Sequence, residues 1–331
     1  MKSLTQEQKS FLKNFNYYKK KKDNLDSFNY CSLIANTAGA EYFKTKYISF
    51  VYIFNFIKAY IKEIVSLGFI ENIKIVNPKK KKIVNTVITW GFKKDFKNFF
   101  YDKYFNIQSN KKKKLQWIIL YMSQSLPNKI PKNIILIHLK KTKRFNILFL
   151  FKNLLLIFKY SNKDITIFLK NLTSQFLLSA SLENIFKKYI KIEYVKNVIM
   201  PYEGQLFQKR LINLFKKNNE KTKIIGYDHT APQPIPINLF YDNNSPDKLL
   251  LTSKNKYIFH KKYLNWPQNK LKINSSFRFK IDPNNFKSKI FLPYVIENLS
   301  KYQEKLYRLL KYLRLKDLSK FEIKSHPAKL N

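Results

Sequence analysis

The chain has 331 residues, 45% of them hydrophobic and 16% aromatic; it is longer than one ordinary domain and too apolar to be a disordered polymer. Its formal charge of +43 comes from 64 basic against 21 acidic residues, yet only five of the basic residues are arginine (144, 210, 278, 308 and 314). Abundant Lys, Asn, Ile, Phe and Tyr with scarce Gly follow AT-rich codons, so the lysine excess alone does not mark a nucleic-acid binder. The runs Lys19–Lys22, Lys79–Lys82 and Lys111–Lys114 read most simply as solvated faces or loops. An anionic lipid surface is the second reading. Nucleic acid is the third, without an RNA-module signature or paired metal-binding Cys and His to support it.

Cys31 is the single cysteine, which excludes a disulfide within the chain and points to a reducing compartment. The start, MKSLTQEQKS, lacks the apolar core of a signal peptide. The most apolar stretches, Tyr47–Ile57 and Phe145–Phe158, are too short to span a bilayer. A cytoplasmic protein able to touch the inner face of an anionic membrane is the expectation.

In chain order, Phe50–Ile70 predicts a helix with Gly68 as its stop, and Pro78–Lys82 a basic connector. Val84–Trp90 predicts a strand ending at Gly91. Leu115–Ser123 predicts a helix, Pro127 and Pro131 a loop, and Asn133–Leu139 a buried strand. Phe145–Phe158 predicts a buried helix, Asp164–Leu169 a strand and Leu182–Lys188 another helix. Three short apolar runs come next, Asn197–Met200, Lys223–Tyr227 and Leu249–Thr252. Between the first two, Phe207, Leu211, Leu214 and Phe215 lie on one face of an amphipathic helix. Strands alternating with helices predict a doubly wound parallel sheet, with ligands at the carboxyl ends of its strands. After Arg278 the connector IDPNNFKS reads as a hinge. A strand at Ile290–Leu292, a helix striped by Val295, Leu299, Tyr302, Leu306, Leu309 and Leu313, and a strand at Phe321–Lys324 then open a second domain. One strand–helix–strand unit cannot cover both faces of a sheet, so that domain is expected to be incomplete. The expected division is a helical N-terminal region (1–80), a Rossmann-like domain (81–282) and the start of a second such domain (283–331).

Candidate chemistry sits at strand ends. Pro201-Tyr202-Glu203-Gly204 places a carboxylate beside a helix start, as a general base or a ligand for a sugar hydroxyl; an acid favoured by the helix dipole is the alternative. Gly226-Tyr227-Asp228-His229-Thr230 sets an imidazole between a carboxylate and a hydroxyl, suited to phosphate binding or proton transfer; a structural loop histidine is the alternative. Pro232, Pro234 and Pro236 stiffen the loop beyond Thr230. Arg278 is notable in a chain that otherwise uses Lys, because a planar guanidinium suits diphosphate or carboxylate. Lys324-Ser325-His326-Pro327 follows the last strand, where His326 either meets a nucleotide or simply ends the strand. His138 and His260 read as structural. The chain has no Asp-x-Asp pair, no Gly-x-Gly-x-x-Gly, no Gly-Lys-Ser/Thr phosphate loop and no Gly-x-Ser-x-Gly elbow.

The succession PYEGQLFQKRLI, KIIGYDHTAPQPIPINLFY, SPDKLLLTS, LNWPQNKLKINSSFRF, IFLPY and EIKSHP, with VITWGFKKDF, YDKYFN, WIILYMSQSLP and NIILIHL upstream, resembles bacterial surface-carbohydrate biosynthesis proteins. These are similar to glycosyltransferases of the two-Rossmann-domain (GT-B) type, related in layout to Kdo transferases, sialyltransferases and glycerophosphotransferases. The resemblance covers residues 84–327. It implies an acceptor-binding first domain and a second domain for a nucleotide sugar; the missing Asp-x-Asp pair weighs against a metal, and no other cofactor is expected. It assigns Glu203 to the family's strand-end Glu, Tyr227, Asp228 and His229 to its Gly-Tyr-x-His segment, and Ser276 and Arg278 to its Ser-Phe-Arg segment. Lys324, His326 and Pro327 match its Lys-x-His-Pro motif, whose His meets the nucleotide in the related sialyltransferases. Lys254 stands where the family commonly has Gly after Thr-Ser, and later strands and a serine-bearing phosphate loop are expected beyond the last residue. The function implied is metal-independent sugar transfer to a glycan or lipid-linked acceptor of lipopolysaccharide or capsule, with Glu203 or Asp228 as base and His229 and Arg278 balancing charge. The alternatives are a non-catalytic remnant or binding subunit of that pathway, and a basic nucleic-acid binder.

Overall fold

The computed structural model describes residues 50–77, 85–111, 115–161, 164–230 and 237–277, together with 290–291, 308 and 321–322. The chain divides into two compact units, Met1–Arg278 and Phe279–Asn331. Among the described residues no helix is long and apolar enough to cross a membrane.

The first unit is an α/β fold on one eight-stranded sheet. Its elements are α1 (Phe50–Leu67), β1 (Ile70–Val76), β2 (Asn85–Gly91), the short pair β3 (Tyr101–Asp102) and β4 (Ile107–Gln108), β5 (Leu115–Tyr121) and β6 (Ile134–Lys141). There follow α2 (Ile147–Tyr160), α3 (Ile165–Lys170), α4 (Ser174–Tyr189), β7 (Asn197–Pro201), α5 (Leu206–Asn218), β8 (Lys223–Asp228), β9 (Lys248–Leu251), α6 (Lys254–Tyr263) and β10 (Leu271–Ile273). The spatial order is β1-β6-β5-β2-β7-β8-β9-β10. All neighbours run parallel except β1, which lies antiparallel to β6 at the edge. From β2 the chain steps outward through β5 and β6, crosses back by α2–α4, and steps the other way from β7. This is the doubly wound order of dinucleotide-binding sheets, and its switch point lies between β2 and β7.

Two apolar layers hold the sheet. Ile88, Ile118, Leu120, Ile135 and Ile137 face α4 and α5, where Leu182, Phe186, Leu211 and Phe215 close the core. Val87, Trp117, Ile119, Tyr121, Ile134 and Leu136 face the other way, against Phe100 and Phe105 of the β2–β5 connection. Each side chain so buried contributes about 1.5–3 kcal/mol. Asn153 ties α1 to β1, its Nδ2 donating to the carbonyls of Leu67 and Ile70 at 2.8 Å each.

The expected strands at Val84–Trp90, Asn133–Leu139, Asn197–Met200, Lys223–Tyr227 and Leu249–Thr252 are β2, β6, β7, β8 and β9, and the helices expected at Phe50–Ile70 and Leu182–Lys188 are α1 and the second half of α4. Three readings are corrected. Leu115–Ser123 is not a helix: it forms β5, whose apolar run is buried on both faces at the centre of the sheet, where helix and strand have the same pattern. Asp164–Leu169 is not a strand; it forms α3, lodged between two helices of the crossover and away from the sheet. Phe145–Phe158 is helical as α2 but not enclosed, since Leu148 and Leu155 are 71% and 69% exposed. The region 1–80 also contains a strand that its composition did not suggest, β1, whose pairing with β6 makes residues 70–76 part of the sheet.

In the second unit β11 (Ile290–Phe291) pairs in parallel with β12 (Phe321–Glu322), matching the strands expected there. The striped helix between them lies outside the described residues, apart from helical Arg308. The runs Lys19–Lys22 and Lys79–Lys82, and Lys112–Lys114 of the third, also lie outside them, as do Cys31, Pro232, Pro234 and Pro236.

Candidate functional site

β7 and β8 are parallel neighbours with Pro201 opposite Tyr227, so the residues just beyond them emerge side by side at the carboxyl edge. The pleat sorts these residues, because successive side chains take opposite faces. Tyr202 and Asp228 turn towards the α5 and α6 layer; Glu203, Tyr227 and His229 turn towards the connection that carries Tyr104 and Phe105.

Three features fix Glu203. Gly204 has φ +67°, and a Cβ there would sit 1.9 Å from the carbonyl oxygen of Asn238, so both conformation and space require glycine. Gln208, in the first turn of α5, accepts from the amides of Glu203 and Gln205 at 3.0 Å each and donates to the Pro201 carbonyl at 2.6 Å. The Gln205 side chain donates to Glu203 Oε2 at 2.7 Å.

The other carboxylate oxygen, Oε1, lies 3.3 Å from His229 Nε2. Burial raises the Glu203 pKa, but hydrogen bonding and charge from His229, with the Gln205 amide, outweigh it and hold the carboxyl below its ordinary value. The His229 ring packs edge-on against Tyr104 at 4.6 Å between centroids. Its side chain is 7% exposed while that of Glu203 is 33% exposed, so the carboxylate is the member of the pair that solvent or substrate reaches. His229 Nδ1 has no hydrogen-bond partner among the described residues.

Asp228 does not join this pair. Its Oδ1 accepts from Lys256 Nζ at 2.8 Å and from the Thr230 amide and hydroxyl at 3.1 and 2.7 Å. Its Oδ2 lies 3.6 Å from His260 Nε2. Lys256 follows the Ser253 cap of α6, and its Nζ also donates to the Asp228 carbonyl at 3.2 Å. His260, one turn further, has Nδ1 against the Lys256 carbonyl at 2.9 Å. Burial lowers the His260 pKa against the pull of Asp228. Asp228, Lys256 and His260 are all buried: a carboxylate taken out of water and compensated by one ammonium, which pins the end of β8.

Tyr227 is buried against Phe105 and Phe277. Its hydroxyl lies 3.3 Å from Ser276 Oγ and accepts from the Phe277 amide at 3.1 Å. Two residues expected to bind substrate are thus joined to each other, anchoring the segment that leads to Arg278. Arg278, Lys324 and His326 lie outside the described residues.

Sequence reasoning missed Tyr104, Gln205, Gln208 and Lys256. The Gln205–Gln208 spacing around a helix start was a readable signal, since an N3 Glu or Gln reaching back is half of a capping box. Lys256 had no such signal in a chain this rich in lysine. Asp102 was missed too. Its Oδ1 accepts from the amides of Tyr104 and Phe105 at 2.7 and 3.1 Å, shaping the turn that presents Tyr104 to His229. Burial pushes its carboxyl up to about 6 despite those donors. Among the described residues, no group of three or more His, Cys, Asp or Glu side chains could hold a metal ion.

No protein-family model matches the chain, and no curated protein matches it. Among solved structures it is similar to a glycosyltransferase from Rickettsia africae ESF-5, at 12% identity over 73% of this chain and 68% of that one, with a TM-score of 0.34. A likeness this distant does not bear on chemistry.

Removing the cation from the Asp228 pair leaves a buried carboxylate uncompensated. Lys256→Met is expected to cost about 3–5 kcal/mol in urea unfolding, and the double variant with Asp228→Asn to recover most of it. Full stability in Lys256→Met alone would contradict the pairing. Asp102 behaves in the opposite sense to a salt-bridged acid. Its folded pKa of about 6 lies above the ordinary 3.8, so its charge destabilises the fold above pH 6, and that cost disappears as pH falls from 6 towards 4. Asp102→Asn is therefore expected to stabilise at pH 7.5 by on the order of 2–3 kcal/mol and to make little difference at pH 4, measured by denaturant unfolding at both pH values.

Proposed function

We propose that this chain carries the acceptor-side domain of a glycosyltransferase of the two-Rossmann-domain type, moving a sugar from a nucleotide sugar to a hydroxyl of a glycan or lipid-linked acceptor in surface-polysaccharide biosynthesis. The observation that carries the reading is the Glu203–His229 pair at the carboxyl ends of two adjacent parallel strands, next to the switch point of a doubly wound sheet. The motifs that resemble bacterial surface-carbohydrate proteins supply the reaction class.

In this reading Glu203 is the base. It is ionised at neutral pH and one-third exposed, whereas Asp228 is buried and committed to Lys256. The acceptor oxygen attacks the anomeric carbon and its proton passes to Glu203. The bond from that carbon to the nucleotide phosphate breaks, and the nucleotide leaves with the electron pair. His229 holds the carboxylate in place, and Tyr104 and Gln205 close the sides of the pair. The resemblance sets His326 against the nucleotide; in this reading Arg278 balances charge across the cleft and Lys324 joins the nucleotide-sugar site, roles that cations can fill without a metal. Tyr227 and Ser276 act indirectly, by anchoring the segment that carries Arg278.

The test is titration of the whole chain with CMP- and UDP-linked sugars by calorimetry, then transfer assays with Glu203→Gln. That variant is expected to keep donor affinity and to lose about 10²–10⁴ in kcat. In the unsubstituted chain the acid limb of kcat/KM is expected below the ordinary glutamate range, because activity is lost only as pH falls through the lowered Glu203 pKa. Undiminished transfer by Glu203→Gln would remove Glu203 as base. Absence of binding by any nucleotide sugar would favour a binding subunit over an enzyme.

A further inference from the structure

Three of the helices break a rule that the others obey. α4 and α5 turn their apolar faces inward, whereas α1, α2 and α3 each carry an apolar stripe outward as well. On α1 the stripe is Phe54, Ile57, Ile61 and Val65, at intervals of three and four residues, all exposed. On α2 it is Leu148, Phe151 and Leu155, with Leu148 71% exposed. On α3 it is Ile165 and Leu169, one turn apart. The three helices are tied together. Tyr60 Oη donates to the Leu169 carbonyl at 2.6 Å, Phe158 meets Phe168 at 5.5 Å between ring centroids, and Phe69 meets Phe145 at 5.8 Å. The stripes therefore belong to one helical layer, and a soluble protein rarely exposes so much apolar surface without a partner.

Charge selects the partner. Lys58, Lys62, Lys152 and Lys159 are exposed on the helices that carry the stripes, and Lys143 and Arg144 are exposed in the turn just before α2. α2 contains no acidic residue, and the acid of α1, Glu63, is turned to the amide and hydroxyl of Ser174. A cleft of about 520 Å³ opens between β1, α2 and α4; Lys74, Lys152 and Lys188 line it together with one acid, Glu71, which is paired with Lys140 at 2.7 Å. Phe, Leu and Ile stripes flanked by lysines whose stems can lie along apolar surface have the composition of helices that lie in a bilayer interface.

We infer that the α1–α3 face is a docking surface for an anionic lipid bilayer: the stripes enter the headgroup–acyl boundary, and the lysines and the adjoining cleft meet lipid phosphates. This stands apart from the transferase reading, since it uses none of the residues of the Glu203 pair.

The experiment is co-sedimentation of the full chain with vesicles of phosphatidylcholine alone and with one-quarter phosphatidylglycerol. The chain is expected to pellet with the anionic vesicles and to remain free with the neutral ones. The variant Leu148→Ser/Phe151→Ser/Leu155→Ser, at exposed positions and checked for folding by circular dichroism, is expected to weaken anionic-vesicle binding at least about tenfold. Replacing Lys58, Lys62, Lys152 and Lys159 by Gln is expected to do the same. Replacing Lys221, Lys223, Lys248 and Lys272, exposed elsewhere, is expected to leave binding unchanged. Equal loss from both lysine sets would reduce the effect to net charge and overturn the assignment. Full binding by the serine variant would overturn it as well. So would a dimer in solution that this variant makes monomeric, which would give the face to a second copy of the chain.

Discussion

A carboxylate and an imidazole meeting across the ends of two parallel strands set the terms for the rest of the first unit. Glu203 and His229 come together only because β7 and β8 are in register at Pro201 and Tyr227, and because the chain turns at once after Tyr202. That turn needs a left-handed residue without a side chain, since the backbone of Asn238 closes directly over Gly204. It also needs Gln208, which reaches back from α5 to satisfy two amides and a carbonyl left by the end of the strand. The polar groups at this edge of the sheet are thus spent on holding one carboxylate still.

The same edge holds a second carboxylate in a different physical state. Asp228 is one residue from His229, but the pleat sends it to the opposite layer, where Lys256 and His260 of α6 enclose it. A buried ion pair of this kind adds little net stability over an apolar substitute, yet is costly to break on one side. Its effect is to fix where β8 ends, and so where His229 begins. Lys209, itself buried, pairs with the partly exposed Asp242 between α5 and the β8–β9 connection. The two pairs flank the site from the helical side. From the other side Asp102 shapes the turn that brings Tyr104 onto the imidazole.

The sequence announced strands where an apolar run was short and bounded by polar or glycine residues, as at Asn197–Met200 and Lys223–Tyr227. It misled where burial erased the period: β5 is apolar on both faces, so LQWIILY has no alternation by which to tell strand from helix. At α3 the β-branched run ITIFL suggested a strand, but its position inside the crossover left it no strand to pair with. β1 was invisible because Asn72 and Lys74 interrupt an edge strand that is only half covered. Residue type and the short apolar runs were enough to place Glu203, Tyr227, Asp228 and His229 at strand ends, where the fold has them. Strand alternation, which was readable, would also have separated Asp228 from the other three. Lys256 could not have been found, because one lysine among so many has no distinguishing mark until the fold buries it.

The pairing of Glu203 with His229 can be measured directly. In protein carrying carbon-13 at the side-chain carboxyls, the Glu203 resonance, assigned by its loss in Glu203→Gln, reports protonation as pH is lowered. It is expected to titrate below the ordinary glutamate value in the unsubstituted chain and to move upward in His229→Gln, where burial acts without the imidazole opposing it. An ordinary titration in both proteins would mean that the two side chains do not interact in solution, and the proposed base would lose its physical footing.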